Sequence, residues 1–569
     1  MKGIKFKRLA AMAIALAMLA GLAVGCGGSG GGGQTTAGAA ATTAAAAETT
    51  KAAPTTTTAA ATTEAKKDWK YVKGGPISEE PVTITLLTHS GWAPTLAVPN
   101  NDLPVYKALM ERTGITVDWQ IVENAAYAET VLVRLMSSDL PDIAVIVGPL
   151  PPFSKMVEDG AFISYEDLNF EENAPYAVDL FKDPEYAGMH KGFKSIFPDG
   201  KIYAFGGTVL TKYLVSNSLI NTVWQEKLGI PDPETLDDFF NMLIAFRDQD
   251  PNGNGEKDEV IIGFPDGLNM NILDVFDLHG LCMGQDWEAD ENGNLTYMPT
   301  TERFRDYLEF RKKLFDEDLV DKEKRNLDQL FELIAQDRLG VVQFWATFSG
   351  ILTGHSPHYD REKDNYVFRE MQVLKGVYSG ERKKSSRLIA PGVGEGMLIL
   401  KEAKYPEVCL RFADFTWASP EYETMLNFGV EGISYDVVEG KIVTKVPEGF
   451  DTLSAWLAAN GGAQPPYCYR QSEPGWRQQY PVWATERADE VRPYYIDFLQ
   501  PFFFTATETD ELIKAGRDDI NTHRTEMEAN FISGRRSLGE WDKYVEEINS
   551  MGLDQIKKIV QAKYDALYK

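Results

Sequence analysis

Between Asp250 and Glu259 the chain reads Asp-Pro-Asn-Gly-Asn-Gly-Glu-Lys-Asp-Glu, with an oxygen-bearing side chain at nearly every second residue. Counting Asp250 as position 1, Asp250, Asn252 and Asn254 fall at positions 1, 3 and 5, and Gly255 at 6, where such a loop must turn sharply. Glu256 at position 7 would offer its backbone carbonyl, and Asp258 and Glu259 follow at 9 and 10. Oxygen ligands at alternate positions around a glycine wrap a hard cation, and three carboxylates suit Ca2+ better than Mg2+, which keeps its waters. With no His or Cys in the stretch, zinc does not suit it. Position 12, normally a bidentate Glu, is Ile261, so Glu259 has to supply that ligand. The exit, "VIIGF", reads as a strand rather than a second helix, which makes this a calcium loop outside the helix-loop-helix hand. The competing reading is a solvated acidic turn, because Asp, Asn and Gly are what turns are made of. No nucleophile lies nearby for an ion to activate, so the role expected of the cation is structural.

The elements that must hold this loop are legible on both sides of it. Leu236, Phe239, Phe240, Leu243 and Phe246 recur at spacings of three and four, predicting an amphipathic helix that runs into the loop. Thr235 with Asp238 three residues on resembles a capping box, with Asp in the place of Glu. Nearer the N-terminus, Val82, Ile84 and Leu86 alternate as a strand, "VYKALMERTG" predicts a helix ending at Gly114, and "ITVDWQIV" alternates again. A helix over about 126–138 leads to the continuous apolar run Ile143–Val147, the signature of a strand buried on both faces. Strands alternating with helices predict an α/β fold with a largely parallel sheet. At 569 residues the chain is too long for one core, and two lobes are expected.

The first residues carry an address. "MKGIKFKR" is basic, Leu9–Val24 is apolar but short for a membrane span, and "LAVGC" places small residues before Cys26. This resembles a bacterial lipoprotein signal (residues 1–25), although Ala23 stands where Leu is commonest. The resemblance implies cleavage before Cys26, lipidation of its thiol and a mature protein on the extracytoplasmic face of the cell membrane. Residues 26–75, rich in Gly, Ala and Thr, bury too little to offset ordering entropy and are expected to form a disordered tether. A coil of that length would hold the folded part roughly 30–40 Å from the bilayer. The excess of 84 Asp+Glu over 57 Lys+Arg, a net charge of −27, disfavours nucleic acid as a partner. Cys282, Cys409 and Cys468 are far apart and odd in number, so buried free thiols are expected rather than a disulfide framework.

In its context, "WQEKLGIPDPETLDDFFNMLIAFRDQDPNGNGEKDEV" resembles the corresponding segment of extracellular solute-binding proteins of ABC importers, in the large calcium-containing branch similar to alginate- and oligosaccharide-binding proteins. "LMSSDLPDIAVI", "DGKIYAFGG", "QDRLGVV", "NFGVEGISY" and the terminal "FISGRRSLGEWDKYVEEINSMGLDQIKKIVQAKYDA" agree in order, so the resemblance spans about 81–569. It implies a two-lobed periplasmic-binding-protein-like (type II) fold, with a hinge, a sugar held in the interlobe cleft, an ABC permease as membrane partner, a monomeric state, and no catalysis. The expected division is first lobe 76–205, second lobe 206–380 with the calcium loop, a return to the first lobe over 381–440, and a late segment 441–569 mainly in the second lobe.

Sugars present apolar C–H faces and hydroxyl rims, which proteins meet with aromatic platforms and planar polar groups. In open α/β sheets ligands lie at the carboxyl ends of strands. The residues just past predicted strands are therefore the candidates: Trp92, Tyr203, Trp345, Glu431, Tyr435 and Trp483. Each is an aromatic or acid that core packing or solvation explains equally well. The basic stretch "GERKKSSR" (380–387) reads as a solvated hairpin tip, and the spacing in "HSPH" (355–358) as a turn rather than a metal site. The rival functions are a surface glycoside hydrolase or lyase, which needs a pair of carboxylates that no motif marks here, and a binding protein for a non-sugar ligand such as a peptide.

Overall fold

The computed structural model describes residues 69–569 with interruptions, the longer ones at 92–95, 147–150, 210–215, 265–271, 389–395, 472–476, 478–481 and 499–503. The early elements are β1 (Val82–His89), α1 (Pro104–Thr113), β2 (Ile115–Val122), α2 (Asn124–Leu135) and β3 (Ile143–Ile146). Next come β4 (Ser216–Asn221), α3 (Thr222–Leu228), α4 (Leu236–Asp248), β5 (Val260–Gly263), β6 (Leu339–Trp345) and β7 (Phe368–Glu370). Those used from the last part are β8 (Lys384–Leu388), β9 (Gly396–Ile399), α5 (Pro406–Ala418), α6 (Leu453–Ala459), α7 (Val482–Val491), β10 (Tyr495–Phe498), α8 (Trp541–Ser550) and α9 (Leu553–Tyr568).

Two four-stranded sheets carry two separate cores. The first has the order β9-β3-β1-β2, with β1 parallel to both neighbours and β9 returning antiparallel against β3. Every residue of β3 is buried, as its unbroken apolar run requires. α1 closes on Gly114 at φ 73°, a backbone conformation that glycine adopts without strain. The second sheet, β7-β4-β6-β5, is mixed: β5 runs parallel to β6, while β4 is antiparallel to both β6 and β7. Phe239, Met242, Leu243 and Phe246 of α4 are buried in its core, and Leu236 and Phe240 flank them. Gly340 is required where β6 meets this layer, since a Cβ there would lie 2.9 Å from both Phe246 and Trp224.

The capping box at the start of α4 forms as expected. The Thr235 hydroxyl accepts from the Asp238 backbone N–H at 3.2 Å, and Asp238 accepts from the Thr235 N–H at 3.0 Å. Thr235→Ala is expected to lower unfolding stability by about 1 kcal/mol, read as a reduced urea midpoint at unchanged slope.

Three of the expected boundaries differ from where the described residues pack. The expected tether of 26–75 overruns the fold. Residues 69–75 pack on the first lobe, where the Arg411 guanidinium lies 4.9 Å from the Trp69 ring and 5.3 Å from the Tyr71 ring. Lys73 pairs with Asp179 at 2.5 Å, and Arg112 donates to the carbonyls of Gly74 and Gly75. Aromatic and cationic side chains make these contacts. The late segment 441–569 also divides. α6 places Trp456 and Leu457 against Val105, and Tyr467 lies among Tyr106, Trp119 and Tyr422, all in the first lobe. α7, α8 and α9 go to the second, where Arg487 pairs with Asp232, and Trp541, Tyr544 and Ile548 join its core. Likewise β8, placed in the return segment 381–440, begins beside Asp274 of the second lobe, and the first sheet is rejoined only at β9.

Candidate ligand site and cation loop

Asp250 sits at φ 46°, which turns its carboxylate over the loop. One oxygen accepts the N–H of Gly253 at 2.8 Å and of Asn254 at 3.1 Å, and the other accepts that of Gly255 at 3.0 Å. The Asn252 carbonyl oxygen accepts from Asn254 N–H, and that of Asn254 from Glu256 N–H at 2.7 Å. The amide of Asn254 donates to Asp258 at 3.0 Å, so positions 1, 3, 5 and 9 converge. Asp258 is also tied to Arg338 at 2.7 Å, which fastens the loop to the start of β6. Among the described residues no group of three or more His, Cys, Asp or Glu is arranged to hold a metal. The loop still gathers acid and amide side chains together at Asp258. The oxygen set fits a hard cation, and one observation sharpens the fit: Glu259 Oε1 is buried without a hydrogen-bond partner. Burial, with Asp258 and Asp250 close by, pushes the Glu259 carboxyl above the usual carboxylate range. That is an acid short of positive charge.

The loop lies away from the end where the lobes meet. The chain enters the second sheet at Ser216, which pairs with Trp345 at the carboxyl end of β6. Val260, just after the loop, pairs with Leu339 at the opposite end. Trp345 is half-buried against the core of Leu219, Phe344 and Phe348 and is the last residue of its strand. In the first lobe, β1 ends in Thr88 and His89, both fully buried; the Thr88 hydroxyl donates to the Pro466 carbonyl, and the His89 ring stands edge-on to Tyr127. Trp92, two residues beyond Ser90, lies outside the described residues, as does Cys26.

The remaining candidates are not brought together. Tyr203 is 7% exposed in the first core; its ring meets Phe197 edge-on at 4.9 Å and its hydroxyl donates to Asp199 at 2.8 Å. Both ends of the side chain are used inside the lobe, which corrects its assignment as a ligand residue. Tyr435 is 9% exposed and edge-on to Phe428, so it too packs rather than reaches out, while Glu431 is exposed in the turn before it. Trp483 stands at the far end of the second sheet, 5.5 Å from Tyr366. In the basic stretch 380–387, Arg382 pairs with Glu234, Lys383 with Glu381, and Lys384 with Asp274. His355 stacks on Phe331 at 4.0 Å and His358 pairs with Asp337 at 2.7 Å, so the two rings serve separate contacts. Cys282 and Cys409 carry no disulfide, and Cys468 falls outside the described residues.

Sequence reasoning missed the groups that root the crossing strands. β8 and β10 run side by side in parallel. Asp274, buried, accepts from Ser385 at 2.6 Å and pairs with Lys384 at 3.5 Å; buried Glu370 accepts from Asn217 at 2.8 Å and from Tyr495. Burial pushes the Glu370 carboxyl up, whereas Lys384 and His279 hold Asp274 low against its own burial. No spacing marks these acids, because Asp274 meets Ser385 across 111 residues and Glu370 meets Asn217 across 153.

The profile of the bacterial extracellular solute-binding protein family matches residues 102–422, more than half the chain. The chain is 25% identical over 510 residues to the fructooligosaccharide ABC transporter substrate-binding protein FusA of Streptococcus pneumoniae, covering 86% of this chain and 91% of that one. It is 28% identical over 354 residues to lipoprotein LipO of Bacillus subtilis, covering 60% and 66%. Two solved structures share the fold. The alginate-binding protein AlgQ2 without calcium ion superposes with a TM-score of 0.62 at 22% identity, over 86% of this chain and 99% of that one. S. pneumoniae FusA in complex with kestose gives 0.63 at 23%, over 85% and 99%. The chain therefore belongs to the bacterial extracellular solute-binding protein family, on a two-lobed α/β fold.

Proposed function

We propose that this protein is the substrate-binding component of an ABC importer: it captures an oligosaccharide between its lobes and delivers it to a membrane permease without turning it over. The observation that carries this reading is the match to FusA along nearly the whole of both chains, joined to two separately cored lobes with Trp345 at the strand end where they meet. The pairing of Arg382, Lys383 and Lys384 with acids supports a ligand without dense negative charge. Small-angle scattering tests the capture step: adding a bound oligosaccharide is expected to shrink the radius of gyration as the lobes close, and an unchanged radius at saturation counts against it.

The loop at 250–259 is read as a calcium clasp, with Asp250, Asn252, Asn254, the Glu256 carbonyl, Asp258 and Glu259 as its oxygens. Support comes from the unpartnered Glu259 Oε1 and from FusA, of which one solved structure is described as an EF-hand mutant. When bound, the cation supplies the positive charge that holds the loop's acids together; it takes no part in ligand binding. The protein works as a monomer on the extracytoplasmic face of the membrane, held through lipid on Cys26. Among the described residues no helix is long and apolar enough to cross a membrane. Cys26→Ala is expected to move the protein from the membrane fraction to the medium; retention in the membrane contradicts lipid anchoring.

A further inference from the structure

The second lobe carries a built hollow away from the crossing end. Gln225 and Glu226 of α3, Asp232 in the turn after it, Tyr366 just before β7 and Arg369 within it contribute to its walls, and this open hollow has a volume of about 380 Å³. β4 runs from Ser216, opposite Trp345, to Asn221, opposite Phe368, so the hollow lies at the far end of the sheet. Its volume is at the small end of the range for ligand pockets, room for a ring rather than a chain.

Its chemistry is that of a sugar contact. Tyr366 is 36% exposed and offers a ring face, braced by Trp483 at 5.5 Å and by the Arg369 guanidinium at 5.7 Å. Arg369 pairs with one oxygen of Asp232, and the other oxygen accepts from Arg487 at 3.2 Å. This fixes a planar edge of donors and acceptors beside the aromatic face. One polar atom of the lining lacks a partner: Oε1 of Gln225, whose residue is 4% exposed. Buried polar atoms without partners are uncommon and mark places where something else completes the bonding. Asp232 is held between Arg369 and Arg487, so its charge is already paired, which suits a neutral ligand.

We propose that this hollow is a second, weak carbohydrate site that takes one neutral sugar ring outside the cleft. The C–H face of the ring lies on Tyr366, and its hydroxyls meet the Arg369–Asp232 edge and Gln225 Oε1. A glycan held there stays near the cleft at raised effective concentration. The inference rests on the reading of the chain as a carbohydrate binder, and the test separates the two.

The full-length chain in detergent micelles is titrated with kestose, followed by saturation-transfer NMR into the millimolar range. Two saturable steps are expected. Tyr366→Ala and Trp483→Ala each weaken the second step about tenfold and leave the first unchanged; Trp345→Ala does the reverse. A second step that is absent, or that survives both substitutions at the far hollow, overturns the proposal while the cleft reading stands. A second step without a first retains the hollow and removes the cleft as a kestose site. The absence of both steps removes both.

Discussion

Trp345→Ala is expected to lower affinity for a bound oligosaccharide by about 30- to 100-fold, the loss typical of a central aromatic anchor, equivalent to about 2–3 kcal/mol. The argument is positional. Trp345 closes a strand buried from Leu339 to Phe344, so its backbone is fixed by the core, and it sits opposite Ser216 where the chain crosses between lobes. The ring is only half-buried, which leaves a rigid apolar face to meet the C–H surface of a sugar at little entropic cost. Calorimetry on the folded variant measures the loss, and Trp345→Phe, which keeps an aromatic face, should recover part of it. Tyr203→Phe serves as the control: it removes a hydrogen bond inside the first lobe and should leave affinity unchanged. Unchanged affinity in Trp345→Ala would move the ligand away from this strand end.

The second large effect concerns stability. Asp250→Ala is expected to abolish the rise in melting temperature that calcium gives the wild type. At a cation concentration about 100 times the dissociation constant, that rise corresponds to ~2.7 kcal/mol. The substitution also removes the acceptor for the N–H groups of Gly253, Asn254 and Gly255, each bond worth about 1 kcal/mol, so the variant should melt lower even in chelator. Ligand affinity in the folded variant should be nearly unchanged, since the loop lies at the opposite end of the sheet from Trp345. The pH dependence has a definite sign. Without cation, the folded state holds the Glu259 proton more tightly than the unfolded state does, because burial and Asp258 and Asp250 disfavour its charge. In chelator its contribution to stability therefore falls as pH rises above the ordinary glutamate value of about 4.3. With calcium the carboxylate is the favoured form, so the calcium-dependent increment grows over the same window. Melting curves in chelator and in calcium should diverge as pH rises; curves that stay parallel contradict Glu259 as a ligand.

Local patterns were well written in the chain. The stripe and capping box of α4, the alternation of β1 and β2, and the solid apolar β3 depend on near neighbours, and each forms where its pattern lies. The loop is legible for the same reason: its donors lie within ten residues, and its backbone bonds close on its own side chains. Long-range placement was not. Nothing near Tyr203 announces that Phe197 and Asp199 will occupy both its ring and its hydroxyl. Tyr467 gives no local sign that it belongs with Tyr106 and Trp119 in the first lobe. The Asp274 and Glu370 anchors are assembled by the fold from residues far apart, and an acid in a strongly acidic chain has no signature until its partners arrive.

The central claim is capture without turnover, and calorimetry on a panel of oligosaccharides, with chromatographic analysis of the same samples, tests it most directly. The account predicts saturable binding of at least one oligosaccharide, with one tight site per chain, and that sugar recovered intact after prolonged incubation. Steady release of shorter products, or no heat of binding with any sugar of the panel, would contradict it.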